Sequence, residues 1–367
     1  MKRASLRKVM SLLPLMICVF MLCVFSGTPN AFSAAKPLKF AMVLRDAAAG
    51  WAPVLIAGVK DKAKDLGIEV VVMDSHNDSL LQIQLMETFL LQKVDGFIYA
   101  GSIDQAACNA VVKKYNAAGI PIVALDSAPT GGEILAFVGS DHSEVARKSA
   151  ESMIKMIKDA NNGEVPAGKI MYLTGALSDD VMRLQDKGFH AVVDQYPQLS
   201  FETAEHKWNP DTALSVTANL ITKMGKEKPL AVYCMYDDAS PGVIKAIEAA
   251  GWNPKEMIIV TQDAGIGLDF LREGKIKTWT TQRFYQSGLL GVELMYNFIT
   301  GAAATPKVGD KFSAEGYNWT AIECQTGAKG IHVVPEVLVV PWDVSVDDPG
   351  DTHNVAARLQ KGLSAMP

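Results

Sequence analysis

Short continuous apolar runs alternate along this chain with longer stretches of helical spacing. The first run, residues 40–44, is apolar without a break, as a strand buried on both faces should be. Apolar residues at helical spacing then cover 54–66 and stop at Gly67, and a β-branched run follows over 68–73. The same rhythm predicts helices over 79–92 and 106–118 and strands over 96–100 and 120–125. A second series follows a short strand at 136–139. Its helices fall at 144–158, 183–196, 210–224, 241–250 and 267–273. Its strands fall at 169–174, ahead of Trp208, and at 230–235, 257–261 and 278–281. Strands and helices repeated in this order form parallel sheets covered by helices on both faces, so the fold class is α/β.

Polarity changes abruptly where these strands end. The first strand opens into Arg45-Asp46, three alanines, Gly50 and Trp51. Later strands end near Asp126, Tyr236, Asp263 and Gln282, with Trp208 beside another. In open α/β sheets ligands sit outside the carboxyl ends of the strands. Any one of these residues also reads as a solvated loop residue or a helix cap. Together they are the mixture a polyhydroxylated ligand needs. Carboxylates, amides and guanidinium groups bond hydroxyls, and indole faces cover the C–H faces of a sugar ring.

The first 35 residues carry a different signal. Lys2, Arg3, Arg7 and Lys8 precede an apolar core at 9–25, and small residues follow at Ser33, Ala34 and Ala35. This predicts a secretory signal peptide, cleaved between Ser33 and Lys36, and a periplasmic location. The leader has four basic and no acidic residues, so a net charge of −5 for the whole chain becomes −9 for the remainder. An acidic exported protein is a poor partner for nucleic acid or an anionic membrane. Cys108, Cys234 and Cys324 are odd in number and far apart, which gives neither a disulfide framework nor metal-ligand spacing. Cys234 reads as a buried apolar residue. No cofactor or metal is expected.

The motifs of several enzyme classes are missing from the sequence. It has no Gly-x-Ser-x-Gly elbow, no His-Glu-x-x-His and no phosphate-cradling glycine loop. The six histidines stand singly; His76, His142 and His206 are expected on the surface or in loops, and His190 on a helix. Asp126 and Asp263 would be the carboxylates of a glycosidase, but binding without chemistry uses the same residues. The protein is therefore expected not to be an enzyme.

The pieces also fall in a collinear order. Gly58 lies in the first helix, and Val71-Val72-Met73-Asp74-Ser75 ends the second strand. Gly119-Ile120-Pro121-Ile122-Val123 leads into Leu125-Asp126, and Gly139-Ser140-Asp141 follows. Arg183 with Gly188-Phe189, Asp237-Asp238, Gln262-Asp263, and Gln282 with Gly288 complete the series. Over roughly residues 38–306 the chain resembles the periplasmic sugar-binding proteins of bacterial ABC importers, the ribose- and allose-binding type. The resemblance implies two Rossmann-like lobes, each a parallel sheet flanked by helices. They are joined by a three-crossover hinge and close over the solute. It places the first lobe at 36–140 plus about 283–316, the second at 141–282 plus about 317–346, and a C-terminal extension at 347–367.

Carried over by position, the family's sugar contacts fall on Arg45, Ala49, Trp51, Ala52, Asp126, Ser127, Gln185, Trp208, Tyr236, Gln262, Asp263 and Gln282. The departures bear on the ligand. Ser127 and Gln185 stand where the ribose pattern has arginine, Tyr236 where it has asparagine, and Gln262 and Ala52 where it has aromatics. Ribose itself is disfavoured, and one basic residue facing two carboxylates argues against an acidic sugar. The expected ligand is a neutral sugar or polyol, delivered by a monomer to an ABC permease, with a chemoreceptor as a further partner. The alternative is a receptor for a furanosyl signal, a nucleoside or an amine. Two segments lie outside the resemblance: 307–334, read as an irregular or hairpin insertion, and the tail, with a short helix at 355–363.

Overall fold

In a computed structural model of the chain, the structure describes residues 36–341 apart from 178, 226, 264–266, 325, 336 and 337. The expected leader and the tail helix lie outside the described residues. The described residues from Leu38 onward belong to one compact unit. It opens with β1 (Lys39–Leu44), α1 (Trp51–Leu66), β2 (Glu69–Asp74), α2 (Ser79–Leu91), β3 (Gly96–Ala100), α3 (Gln105–Ala117), β4 (Ile122–Leu125) and β5 (Glu133–Val138). The second series is α4 (His142–Ala160), β6 (Gly168–Thr174), α5 (Asp180–Val193), β7 (Leu199–Glu205), α6 (Pro210–Met224), β8 (Ala231–Cys234), α7 (Ser240–Ala249), β9 (Ile259–Asp263), α8 (Gly267–Arg272) and β10 (Thr278–Thr281). The chain ends its described part with α9 (Phe284–Thr300), β11 (Lys311–Ala314), β12 (Tyr317–Glu323), β13 (Lys329–Pro335) and β14 (Leu338–Pro341).

The strands form two sheets, ordered β11-β12-β13-β5-β4-β3-β1-β2 and β14-β10-β9-β8-β6-β7. The five strands of each series pair in parallel and in the same spatial order, second-first-third-fourth-fifth. That order puts a topological switch beside β1 and β3 in one sheet and beside β6 and β8 in the other, the crevice where α/β sheets bind ligands. The apolar runs are buried as their continuity requires: every residue of Phe40 to Leu44 and Ile122 to Leu125 is at most 2% exposed.

Helix starts follow from acidic or amide caps at the strand ends. The side chains of Asp78, Asp104, Asp141, Asp179 and Asn209 accept backbone N–H groups of the helices they precede. Each cap contributes about 1 kcal/mol and anchors a loop that faces the cleft. Glycines set the helix spacing. A Cβ on Gly58 of α1 would stand 2.1 Å from the Tyr285 carbonyl oxygen, and one on Gly288 of α9 would stand 2.6 Å from the Leu55 oxygen. The helices therefore touch backbone to backbone.

The chain passes three times between the sheets. It leaves the first after β5, returns from β10 through Gln282 and Arg283 into α9, and leaves again between β13 and β14. Ser140 Oγ donates to the Gln282 carbonyl oxygen at 3.0 Å, tying the first two passages together. One expected boundary is corrected. The strands within 317–335 join the first sheet, β13 lying parallel to β5 and β12 antiparallel to β13; only β14 pairs in the second sheet, antiparallel to β10. The reason is burial: Trp319, Ala321, Ile331 and Val333 carry the first sheet's apolar core past β5.

Candidate functional site

The carboxyl ends of both sheets face one cleft of about 1270 Å³. After β1, Arg45 is held by its backbone. Its N–H donates to Ala100 O at 3.2 Å, and its carbonyl oxygen accepts from Asn77 N–H at 2.8 Å and Ser75 Oγ at 3.0 Å. Asp46 braces the same loop, accepting from Ala48 N–H at 2.9 Å and Asn77 Nδ2 at 2.6 Å. Trp51 begins α1, lines the cleft and is 8% exposed; its ring stacks on Phe284 with centroids 5.7 Å apart.

After β4 the chain turns sharply. Ser127 N–H donates to Leu125 O at 2.8 Å across Asp126, whose φ is 65°, the uncommon positive-φ γ-turn. His142 Nε2 bonds the Asp126 carbonyl oxygen at 2.9 Å and fixes the turn from the start of α4. Burial pushes the Asp126 carboxyl up to about 6; Asp179 adds to the rise, while His142 and Arg45 oppose it.

The second sheet answers from across the cleft. Gln185 on α5 is buried and lines the cleft, with Oε1 lacking a hydrogen-bond partner among the described residues. Trp208 lies over Gly175, where a Cβ would meet its ring at 2.1 Å, and stands edge-on to Tyr236 with centroids 5.5 Å apart. Gln282 lines the cleft where the chain returns to the first sheet. Two contacts bridge the cleft. Arg45 Nη1 sits 3.0 Å from Asp179 Oδ2, and Asp238 Oδ2 accepts from Gly50 N–H at 2.7 Å and from Tyr236 Oη at 2.5 Å.

The structure thus gathers Arg45, Trp51, Asp126, Ser127, Gln185, Trp208, Tyr236 and Gln282 around one cleft. Gln262 is a correction. It lies outside the lining, fully buried, and its Oε1 accepts from Tyr233 Oη at 3.1 Å. Neighbouring residues on a strand face opposite sides, so Gln262 turns into the core beneath α4. The side chain of Asp263 lies outside the described residues. His142 and His206, expected on the surface or in loops, are both buried; His206 does lie in the loop after β7, His142 begins α4, and each bonds backbone close to the cleft. Sequence reasoning missed Asp179 and Asp238 as cleft residues. Asp238 had a signal in the Asp237-Asp238 pair; Asp179 had none, since the helix it caps in the structure was expected only from residue 183.

Charged side chains lining the cleft balance among the described residues: Asp46, Asp126, Asp179 and Asp238 against Arg45, Arg183, Lys187 and Lys207. Among those residues no cluster of three or more His, Cys, Asp or Glu is placed to hold a metal ion, and no helix is long and apolar enough to cross a membrane.

Comparisons with known proteins agree with this geometry. The chain is 25% identical over 245 residues to the ribose import binding protein of Bacillus subtilis, covering 66% of this chain and 76% of that one. It is 26% identical over 287 residues to the D-allose-binding periplasmic protein of Escherichia coli, covering 74% and 89%. Among solved structures, the binding protein of the arabinose ABC transporter from Shewanella, bound to L-arabinofuranose, superposes with a TM-score of 0.71 at 20% identity, covering 88% of this chain and 98% of that one. The Caulobacter myo-inositol binding protein, bound to myo-inositol, gives 0.70 at 18% identity, covering 89% and 99%. These structural likenesses carry the fold, the type I periplasmic binding arrangement of two mainly parallel sheets. Residues 40–303 match the family described as the periplasmic binding protein domain, so the chain belongs to that family.

Proposed function

We propose that this protein captures a neutral sugar or polyol in the cleft and delivers it to the membrane permease of an ABC importer, working in the periplasm. The observation that carries the reading is the composition of the cleft. Asp126 offers carboxylate acceptors from one sheet. Gln185 and Gln282 offer amides, and Trp51, Trp208 and Tyr236 offer ring surface. Hydroxyls spaced around a ring need this alternation of polar groups and flat apolar faces. The four-against-four balance of lining charges among the described residues supports an uncharged solute. The sugars and the cyclitol named for the relatives are all small, neutral and hydroxyl-rich. In this reading Arg45 and Asp179 do not bind an anion; they join the two halves of the cleft over the solute.

Thermal unfolding against a panel of sugars, polyols, nucleosides, amines and amino acids tests the proposal, because a ligand that binds only the folded state raises its midpoint. The expected result is a rise with at least one neutral sugar or polyol. A rise confined to amines, amino acids or nucleosides would overturn the ligand class.

A further inference from the structure

Both sheets end their second strand in the same four-residue turn. After β2, Asp78 N–H donates to Ser75 O at 2.8 Å, with φ of 50° at His76 and 58° at Asn77. After β7, Asn209 N–H donates to His206 O at 3.0 Å, with φ of 54° at Lys207 and 60° at Trp208. Positive φ at both central residues is the type I′ pattern, which favours asparagine and glycine. The first turn obeys this with Asn77. The second puts a tryptophan at the matching place, a bulky residue poorly suited to a left-handed backbone. Each turn leads straight into a helix cap, Asp78 or Asn209, so helix initiation does not account for the tryptophan.

His206 accounts for how the turn is held. Its ring is inaccessible to water, and its Nδ1 accepts the N–H of Trp208, two residues on, at 3.1 Å. This is the bond an asparagine side chain makes in an Asx turn. With Nδ1 accepting, the ring proton sits on Nε2, which is buried without a partner among the described residues. A phenyl or aliphatic side chain would fill the space without that orphaned donor. The ring also packs behind both aromatic walls, 5.8 Å from Trp208 and 6.4 Å from Tyr236 between centroids. Burial lowers its pKa to about 3, so it stays a neutral acceptor through the working range.

We propose that His206 is a positioning residue of the cleft, holding Lys207 and Trp208 in the left-handed turn that presents the Trp208 ring to the solute. The functional half of this rests on the proposal above that Trp208 is a wall of the sugar site.

Two substitutions in the full chain separate positioning from mere filling. His206→Asn keeps an acceptor for the N–H two residues on; His206→Phe keeps the ring and loses the acceptor. The readout needs no ligand: the near-ultraviolet circular dichroism of Trp208, obtained by subtracting the spectrum of the same protein carrying Trp208→Phe. The Trp208 band should survive in His206→Asn and largely vanish in His206→Phe. Adding Lys207→Gly, which takes a left-handed backbone without strain, should restore part of it. If His206→Phe does not fold, His206→Leu serves as the acceptor-free variant. Titration with L-arabinose and myo-inositol should show binding weakened about tenfold or more in His206→Phe and within about threefold of the parent in His206→Asn. A band kept by both variants, or lost by both, overturns the proposal. If the parent binds neither probe, the sugar reading is in question, while the ligand-free bands still decide what His206 does.

Discussion

Backbone strain recurs at the cleft, although non-glycine residues with positive φ also occur away from it, at Lys93, Asn162 and Glu315. Asp126, Lys207, Trp208 and Arg283 all carry positive φ, at a cost of about 1–2 kcal/mol each for residues other than glycine. Strain of this kind persists where surrounding contacts over-determine it, and here each residue lies on the cleft or at a passage between the sheets. Asp126 carries a pH prediction. Its carboxyl is raised from the ordinary carboxylate value to about 6, first by burial, so the folded state holds that proton more tightly than the unfolded chain. The ligand-free fold therefore has a stabilising contribution at low pH that is lost as pH rises through about 6. A sugar that donates hydroxyls to the carboxylate has the opposite dependence, so affinity should fall as pH drops through about 6, and Asp126→Asn should flatten that profile in titrations at several pH values. Trp208→Ala should weaken binding by about 1–3 kcal/mol, the loss of a stacking face, measured by calorimetry. At this scale the sequence was readable where a polar residue followed an apolar strand, as at Asp126. It was not readable at Gln262, where strand alternation decides between cleft and core, nor at His142 and His206, whose spacing says nothing of burial.

Secondary structure was legible because its signals are periodic and local. The pattern located β3, α6 and β10 to the residue and most other elements to within a few, since apolar spacing and the caps that stop each helix are properties of neighbouring residues. The strands from β11 to β13 were not legible in the same way. They are short, their partners lie far away in the chain, and the family resemblance stops ahead of them. What they do is visible only in the packing. They extend the first sheet, and Tyr317 of β12 lies under the Arg283 guanidinium at 3.8 Å from the ring centre. The α1–α9 contact makes a separate prediction. Gly58→Val would force a branched side chain against the Tyr285 carbonyl and should destabilise the protein by about 1–3 kcal/mol in denaturant unfolding. An unchanged midpoint would mean that the helices can separate freely.

Across the whole molecule, two sheets of matching strand order turn their carboxyl ends toward each other, and the Arg45–Asp179 and Gly50–Asp238 contacts join them over the cleft. Gly50 isolates that joining step. Its φ of −56° and ψ of −31° suit any residue, but a Cβ there would lie 2.3 Å from Asp238 Oδ1. Gly50→Ala should therefore displace the Asp238 carboxylate that joins the two sides of the cleft and weaken sugar binding. Small-angle scattering should show less compaction on adding sugar than in the parent, and equal compaction would deny the contact a role in closure. The most direct test of the account is calorimetric titration of the purified protein with ribose, allose, L-arabinose and myo-inositol, in parallel with Trp208→Ala. Saturable binding of at least one neutral sugar or polyol is expected at one site per chain, weakened in the variant. Absence of binding by every neutral sugar and polyol tried, or binding indifferent to Trp208, would contradict it.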